Sequence, residues 1–416
     1  MTPEAALDPL TARQTPVSGR WIALFSLAWL GLWMTQLTAI QLLLPDQVAA
    51  ATSSAQWQST LRVFGLVSAV AGLVALVAYP VSGAFSDRTT SRWGRRRPWV
   101  VGGVLLSAGC YALIGIQHSI VGMTIFWSLS TAGFCAASSG LTAMICDRVP
   151  VEQRGFVSGW IAVPQALGVV VGVALASGVI TGPTAGYGLL AALLSLLTVP
   201  FVVLEPDPPA PPRTAGTTPL LGWLWISPRE HPDFGWALLS RTLVNLANAL
   251  GTGLLLYFFT YDLELDDPAG FLATTTVIYV ACAVLGSVLL GRVSDRVGRR
   301  KPFVLIAGVL QAASALLLAS LPSVGTAIVG ALLVGAGTGA YFSVDQALAT
   351  QVLPNPADHG KDLAIMNLAL IVPQAAGPLL GAFAVAAFGG FSGLYWVAGV
   401  AGLLGALAVL PIRGAA

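Results

Sequence analysis

The sequence predicts an all-α polytopic membrane protein, with twelve transmembrane helices in two six-helix bundles and both termini in the cytoplasm. Three observations carry this expectation. The 416 residues are 56% hydrophobic, with mean hydropathy +0.80 and only 9% charged, whereas an ordinary soluble domain devotes about a quarter of its residues to charge. Apolar runs of the roughly 20 residues needed to cross a hydrocarbon core of about 30 Å recur twelve times. Nineteen of the twenty lysines and arginines fall in alternate inter-run segments or at the run ends beside them, with Arg62 alone on the other side, and such an excess marks the cytoplasmic face. The runs are continuously apolar rather than alternating, which excludes a β-barrel.

The spans follow in order. Span 1 (20–44) comes after polar, Pro-containing residues with no basic n-region or cleavage pattern, so it is expected to be its own insertion signal. Span 2 (62–85) stops at "GAFSDRTTSRWGRRRP", Gly83 to Pro98, and a few turn residues divide span 3 (98–118) from span 4 (121–146). Span 4 ends at "DRVPVEQRG", and span 5 (156–180) contains "PQALG". Span 6 (184–204) runs into a Pro-rich stretch, residues 205–234, of linker composition. Within it "PLLGWLWI" is too short to span and is expected at the interface, with Trp223 and Trp225 at headgroup depth. Span 7 (235–261) and span 8 (268–291) follow, and span 8 stops at "GRVSDRVGRRKP", Gly291 to Pro302. Spans 9 (302–321) and 10 (324–350) are separated by a short turn, as are span 11 (362–387), which contains "PQAAG", and span 12 (390–411).

The chain therefore carries one plan twice. Gly83-x-x-x-Asp87-Arg88 recurs 208 residues later as Gly291-x-x-x-Asp295-Arg296, and Pro164-Gln165 recurs 209 residues later as Pro373-Gln374. This divides the chain into a first bundle (1–204), a cytoplasmic linker (205–234) and a second bundle (235–416). Two "SDR" loops at equivalent positions in a twelve-span chain resemble the cytoplasmic signature of the major facilitator superfamily. The longer "SDRTTSRWGRRRP", with "DRVPVEQRG" and "VDQALATQVLP", is most similar to its glycoside and sucrose carrier branch. The resemblance covers essentially the whole chain. It implies the major facilitator fold and alternating access by rocking of the two bundles around a site near mid-membrane.

Positive-inside bias alone accounts for an arginine in such a loop, but Asp87 and Asp295 add nothing to orientation. A carboxylate there can instead accept from the amino-terminal amides of a helix in the opposite bundle, with glycine allowing close approach. By resemblance the cytoplasmic gate comprises Gly83, Asp87, Arg88, Gly94 and Arg95, with Gly291, Asp295, Arg296, Gly298 and Arg299 as counterparts.

An ionisable residue within a membrane helix costs several kcal/mol unless paired or hydrated, which makes it a functional candidate. Asp345 in span 10 is the one carboxylate that reads as embedded, and Arg241 in span 7 is its expected partner. Both lie about two turns from the cytoplasmic face. Two roles stay open for the pair: a permanent brace, or a site whose protonation couples transport to a proton. Arg241, Asn245, Asn248 and Thr252 share a face of span 7. Trp29, Trp33 and Gln36 do so in span 1, with Gln41 a turn beyond; span 4 offers Trp127, Thr131 and Ser138, and span 10 offers Tyr341. The resemblance implies that spans 1, 4, 7 and 10 line the cavity. Amides and hydroxyls suit sugar hydroxyls, and an indole suits the apolar face of a pyranose. The expected substrate-binding residues are Trp33, Gln36, Trp127, Thr131, Asn245, Asn248 and Tyr341, with Gln165 and Gln374 beside helix-bending prolines.

The sequence departs from the branch in two ways. It lacks the acids in spans 2 and 4 of the sodium-coupled melibiose carriers, and the embedded Arg and Asp in spans 4 and 5 of the plant sucrose carriers. The favoured expectation is proton-coupled uptake of a sugar or glycoside; the alternative is proton-driven export of amphipathic compounds. An enzyme is disfavoured, because no HExxH, GxSxG or paired embedded carboxylates occur. The cysteines Cys110, Cys135, Cys146 and Cys282 show no metal or disulfide spacing. The expected partners are a small solute, protons and the lipid bilayer, with no nucleic acid, metal or cofactor, for a monomer in the plasma (inner) membrane. Asp87→Asn is expected to slow turnover while leaving substrate affinity largely intact; equal loss of affinity in a binding assay would argue against a gate role.

Overall fold

The computed structural model describes residues 16–52, 57–150, 157, 164–165, 167–176, 182–205, 207, 229–297, 300–352 and 359–412. The described chain is helical. Span 1 comprises α1 (Gly19–Thr38), a π turn (Ala39–Leu43) and α2 (Leu44–Ala51). Pro45 sits two residues past that turn. Its ring excludes the carbonyl four residues back and it offers no N–H, so the preceding turn widens. Next come α3 (Trp57–Arg88), α4 (Arg97–Ile114), α5 (Ile120–Arg148), the short α6 (Leu167–Ala176) and α7 (Pro183–Leu204). The second half has α8 (Pro232–Gly253) and α9 (Leu255–Tyr261), then α10 (Pro268–Val297), α11 (Lys301–Ser320), α12 (Val324–Gln351), α13 (His359–Phe388) and α14 (Phe391–Leu407).

Among the described residues nine helices are long and apolar enough to cross a membrane. Leu368–Gln374 and Ala376–Phe388 of α13 form a further candidate, bent by 44°, and α6 and α14 are shorter apolar helices. The bend lies where Pro373 and Pro378 interrupt helical hydrogen bonding. Large apolar side chains such as Leu73, Val77, Leu105, Leu196 and Phe383 remain exposed on the helix bundle, which is the surface that lipid rather than water solvates. The segment "PLLGWLWI" lies outside the described residues.

The duplicated sequence plan becomes duplicated packing. In the first half α3 packs on α5, α4 on α5 and α7, and α1 on α7. In the second half the corresponding α10 packs on α12, α11 on α12 and α14, and α8 on α14. The first span of each half touches the fourth only sparingly, α1 with α5 and α8 with α12.

The two halves meet most extensively where α3 lies along α13. Their ring and hydrogen-bond contacts gather at the end opposite the arginine-rich loops. There Trp57 stacks between Tyr261 and Phe391, Phe64 meets the edge of Tyr257, and the Tyr257 hydroxyl donates to the Pro45 carbonyl at 2.9 Å. Trp57, five residues before the expected 62, is already helical, and this aromatic grip holds it. Arg62 consequently sits within the helix, exposed, where its long stem carries the charge outward.

Gly65 lets α3 and α13 touch, because a Cβ there would stand 2.9 Å from the Leu379 Cα and 3.2 Å from the Pro378 carbonyl. Gly65→Leu is expected to force the halves apart at this face, at a cost of about 1–3 kcal/mol typical of overpacking. The expected result is greater labelling of a cysteine placed at Phe64 by a membrane-impermeant thiol reagent; unchanged labelling would contradict the contact.

Candidate functional site

The arginine-rich stretch after span 2 is a clasp inside the first half as well as a topology signal. Arg96 is 4% exposed, too buried to be explained by loop charge. Its Nε pairs with Asp147 Oδ2 at 2.8 Å and its Nη1 donates to the Ser86 hydroxyl at 2.8 Å. Arg95 reaches the other Asp147 oxygen at 3.9 Å. The backbone amides of Arg96 and Arg97 donate to Asp207 Oδ2 at 2.7 and 2.9 Å. A carboxylate from the start of the linker thus caps the amino terminus of α4, where unpaired amides and the helix dipole favour negative charge. Arg97 also donates to the Glu205 carbonyl at 3.0 Å, and Arg20 pairs with the Glu205 carboxylate at 3.3 Å. Together these contacts tie the ends of spans 1, 2, 3, 4 and 6.

Gly94 is the geometric condition of the cap. Its φ of +103° belongs to glycine, and a Cβ there would collide with the Asp207 carboxylate. Gly83 faces the Ser139 hydroxyl of α5, at 3.3 Å from where its Cβ would stand. In the second half Arg300 Nη1 donates to Ser294 at 2.8 Å, repeating the bond from Arg96 to Ser86. Asp87 and Arg88 end α3, Asp295 and Arg296 lie in the last turn of α10, and Gly291 lies six residues before its end; the side chains of Asp87, Arg88 and Asp295 lie outside the described ones. Gly298 and Arg299 lie outside the described residues.

The embedded pair forms. Arg241 Nη2 stands 2.9 Å from Asp345 Oδ2, with both residues buried. Arg241 Nε and Nη1 are buried and find no hydrogen-bond partner among the described residues, and neither does the Tyr341 hydroxyl. Ala237, Ser240, Val304, Leu348 and Met366 join these groups around a cavity of about 10 Å³, room for about one water. The pair bridges α8 and α12, the two helices of this half that otherwise pack sparingly.

The remaining candidates divide among exposed, half-buried and core positions. Trp33 is half-buried, stacked on Trp29 at 6.2 Å and edge-on to Phe134 of α5 at 5.3 Å. Gln36, also half-buried, accepts from the Tyr111 hydroxyl at 3.2 Å. Asn248 donates to Thr338 of α12 at 3.2 Å, and Asn245 to the Arg241 carbonyl at 2.8 Å. Trp127 is 1% exposed against Tyr111, and Thr131 bonds the Trp127 carbonyl, so both lie in the core of the first half in this conformation. Gln165 is half-buried and Gln374 exposed. Sequence reasoning missed Asp207, Phe134 and Thr338. The sole signal for Asp207 was an acid three residues past span 6.

The profile of the Major Facilitator Superfamily matches residues 22–275 and 241–415. Two uncharacterized MFS-type transporters of Mycobacterium tuberculosis, from strains H37Rv and CDC 1551 / Oshkosh, are 28% identical over 293 residues. The match covers 69% of this chain and 64% of each relative, so the chain spans less than two thirds of their length. An uncharacterized symporter of Synechocystis is 44% identical over 50 residues, 10% of this chain and 9% of that protein. Among solved structures, a peptide transporter POT bound to sulfate superposes with a TM-score of 0.73 at 14% identity, covering 96% of both chains. A mutant POT bound to alafosfalin gives 0.74 at 13% identity, again over 96% of both. At that identity the likeness shows the fold.

Gly94→Ala is expected to destabilise the first half by about 1–3 kcal/mol, through its positive φ and the collision with Asp207. Asp207→Ala is expected to cost about 1 kcal/mol as a lost helix cap, and Asp207→Asn less. Thermal unfolding of the purified protein checks the order; equal midpoints for wild type and Gly94→Ala would remove the cap from the account.

Proposed function

The chain belongs to the Major Facilitator Superfamily, and on that premise we propose that it takes up a sugar or glycoside by alternating access, coupled to protons, across the plasma membrane. It is a multi-pass membrane transporter of a small molecule. The observation that carries the finer reading is the under-satisfied pair of Arg241 and Asp345. A buried guanidinium that spends one nitrogen on a carboxylate and leaves two without partners has a poor bargain in its present arrangement. Protonating Asp345 would remove the charge that holds it, freeing α8 to move against α12. Loss of a proton on the other side would restore the bridge.

The polar groups near the pair support a hydroxyl-rich solute. Asn245 and Asn248 of α8 and Gln36 of α1 are amides on helices that pack sparingly against the fourth span of their own half, and Trp33 supplies an indole face. The halves touch at the face opposite the basic loops, so the gate residues Asp87 and Asp295 are assigned to the opposite conformation, in which the cytoplasmic ends close. A monomer suffices for this cycle, since each half has its own partner. A second reading, proton-driven export of amphipathic compounds, draws support from the aromatic wall of Trp29, Trp33 and Phe134.

The test is reconstitution in liposomes holding a pH indicator, with mono- and disaccharides added singly. Sugar-dependent proton entry is expected in wild type and is expected to fall at least tenfold in Asp345→Asn, while exchange of labelled sugar persists. Equal loss of exchange and thermal stability would make the pair a brace. Absence of sugar-dependent proton movement in folded protein would overturn the uptake reading.

A further inference from the structure

A cavity of about 510 Å³ opens on the face opposite the basic loops, within the 300–1,000 Å³ typical of small-molecule sites. Its apolar floor includes Leu42, Leu43 and Met123, and its polar groups are Asp46, Gln47, Gln117 and His118. Ala269, at the start of α10, contributes to the wall, so both halves of the chain form it.

The polar groups offer acceptors at Asp46, Gln47 and Gln117, with donors limited to His118 and one Gln117 amide hydrogen. The Gln47 amide nitrogen donates to the Ile114 and Gln117 carbonyls at 2.8 and 2.9 Å, and the Gln117 amide nitrogen donates to the Leu113 carbonyl at 3.2 Å. Gln47 has thereby committed both of its amide hydrogens to backbone and Gln117 one of its two, and both retain their oxygens. Gln47 is 5% exposed, and its Oε1 is buried without a partner among the described residues. Asp46 is the one formally charged residue of the lining. It is exposed and makes no ion pair with a described residue. The same face carries Asp262, Glu264, Asp266 and Asp267 in the connection from α9 to α10, against the single basic residue Arg62.

A site with a carboxylate, spare carbonyl acceptors and an apolar floor selects a ligand with a charged N–H donor and a greasy body. A neutral polyol would leave the Asp46 carboxylate without a counter-charge, and among the described lining side chains its acceptors would find N–H donors only at Gln117 and His118. We propose that this cavity is a binding site for amphipathic organic ammonium compounds, with the ammonium at Asp46 and the apolar body against Leu42, Leu43 and Met123. The surplus of acids on this face raises the local concentration of such cations. Because Ala269 closes the wall, occupancy favours the conformation in which the halves touch at this face. The site stands apart from the buried pair and from any sugar or proton coupling.

The test uses the full chain in lipid nanodiscs and calorimetric titration with 2-phenylethylammonium and its neutral analogue 2-phenylethanol. Wild type is expected to bind the ammonium at least tenfold more tightly than the alcohol, and Asp46→Asn to erase that preference. Ala50→Trp, which fills the cavity from its exposed rim and leaves the carboxylate in place, is expected to weaken ammonium binding at least tenfold. Asp345→Asn is expected to leave it unaltered. Equal affinity for the two compounds in wild type, no binding of the ammonium, or a preference surviving Asp46→Asn would each overturn the proposal. Should Asp46→Asn fail to fold, undiminished binding in Ala50→Trp overturns it independently.

Discussion

In a chain with 9% charged residues, largely bathed in hydrocarbon, a charge drawn away from water must bring its partner with it. The organisation of the basic end follows from that requirement. Arg96 is buried, so Asp147 must come to it from the end of span 4 and Ser86 from the end of span 2. The first turn of α4 has unpaired amides, so Asp207 must reach them from beyond span 6. Meeting those demands ties five helix ends together at the basic end of the first half.

The two halves meet the requirement differently. Their helix packing repeats pair for pair, and the bond from Arg96 to Ser86 has its counterpart from Arg300 to Ser294. The embedded charges do not repeat in position. Aligning Pro150 with Pro354 sets the amide Gln351 where the first half has Asp147. The second half has an embedded acid deeper in the bundle, at Asp345, where it joins α8 to α12 across a sparse contact.

Much of this was legible in the sequence because the signals were local or periodic. Apolar run length marked the spans, the repeat marked the halves, and Arg241 and Asp345 stood out because so few other charges shared their surroundings. Helical spacing brought Trp33 and Gln36 to one face but could not say that Trp127 faces the core beside Tyr111. That depends on which neighbour each face meets. The cap from Asp207 to Arg96 joins residues 111 apart, and no pattern within either segment announces it. The grip on Trp57 by Tyr261 and Phe391 is hidden for the same reason, since its three rings come from both halves.

The π turn at Ala39–Leu43 has a geometric consequence of its own. Gln47 follows Trp29 by eighteen residues, about five turns of an uninterrupted α-helix, which would stack the two on one side. A widened turn absorbs about one extra residue and so rotates everything after it by about 100°. The indoles of Trp29 and Trp33 therefore look one way along span 1, while Asp46 and Gln47 look another, toward the connection after α4. One surplus residue acts as a phase shifter, letting a single rod serve two compartments with unlike chemistry.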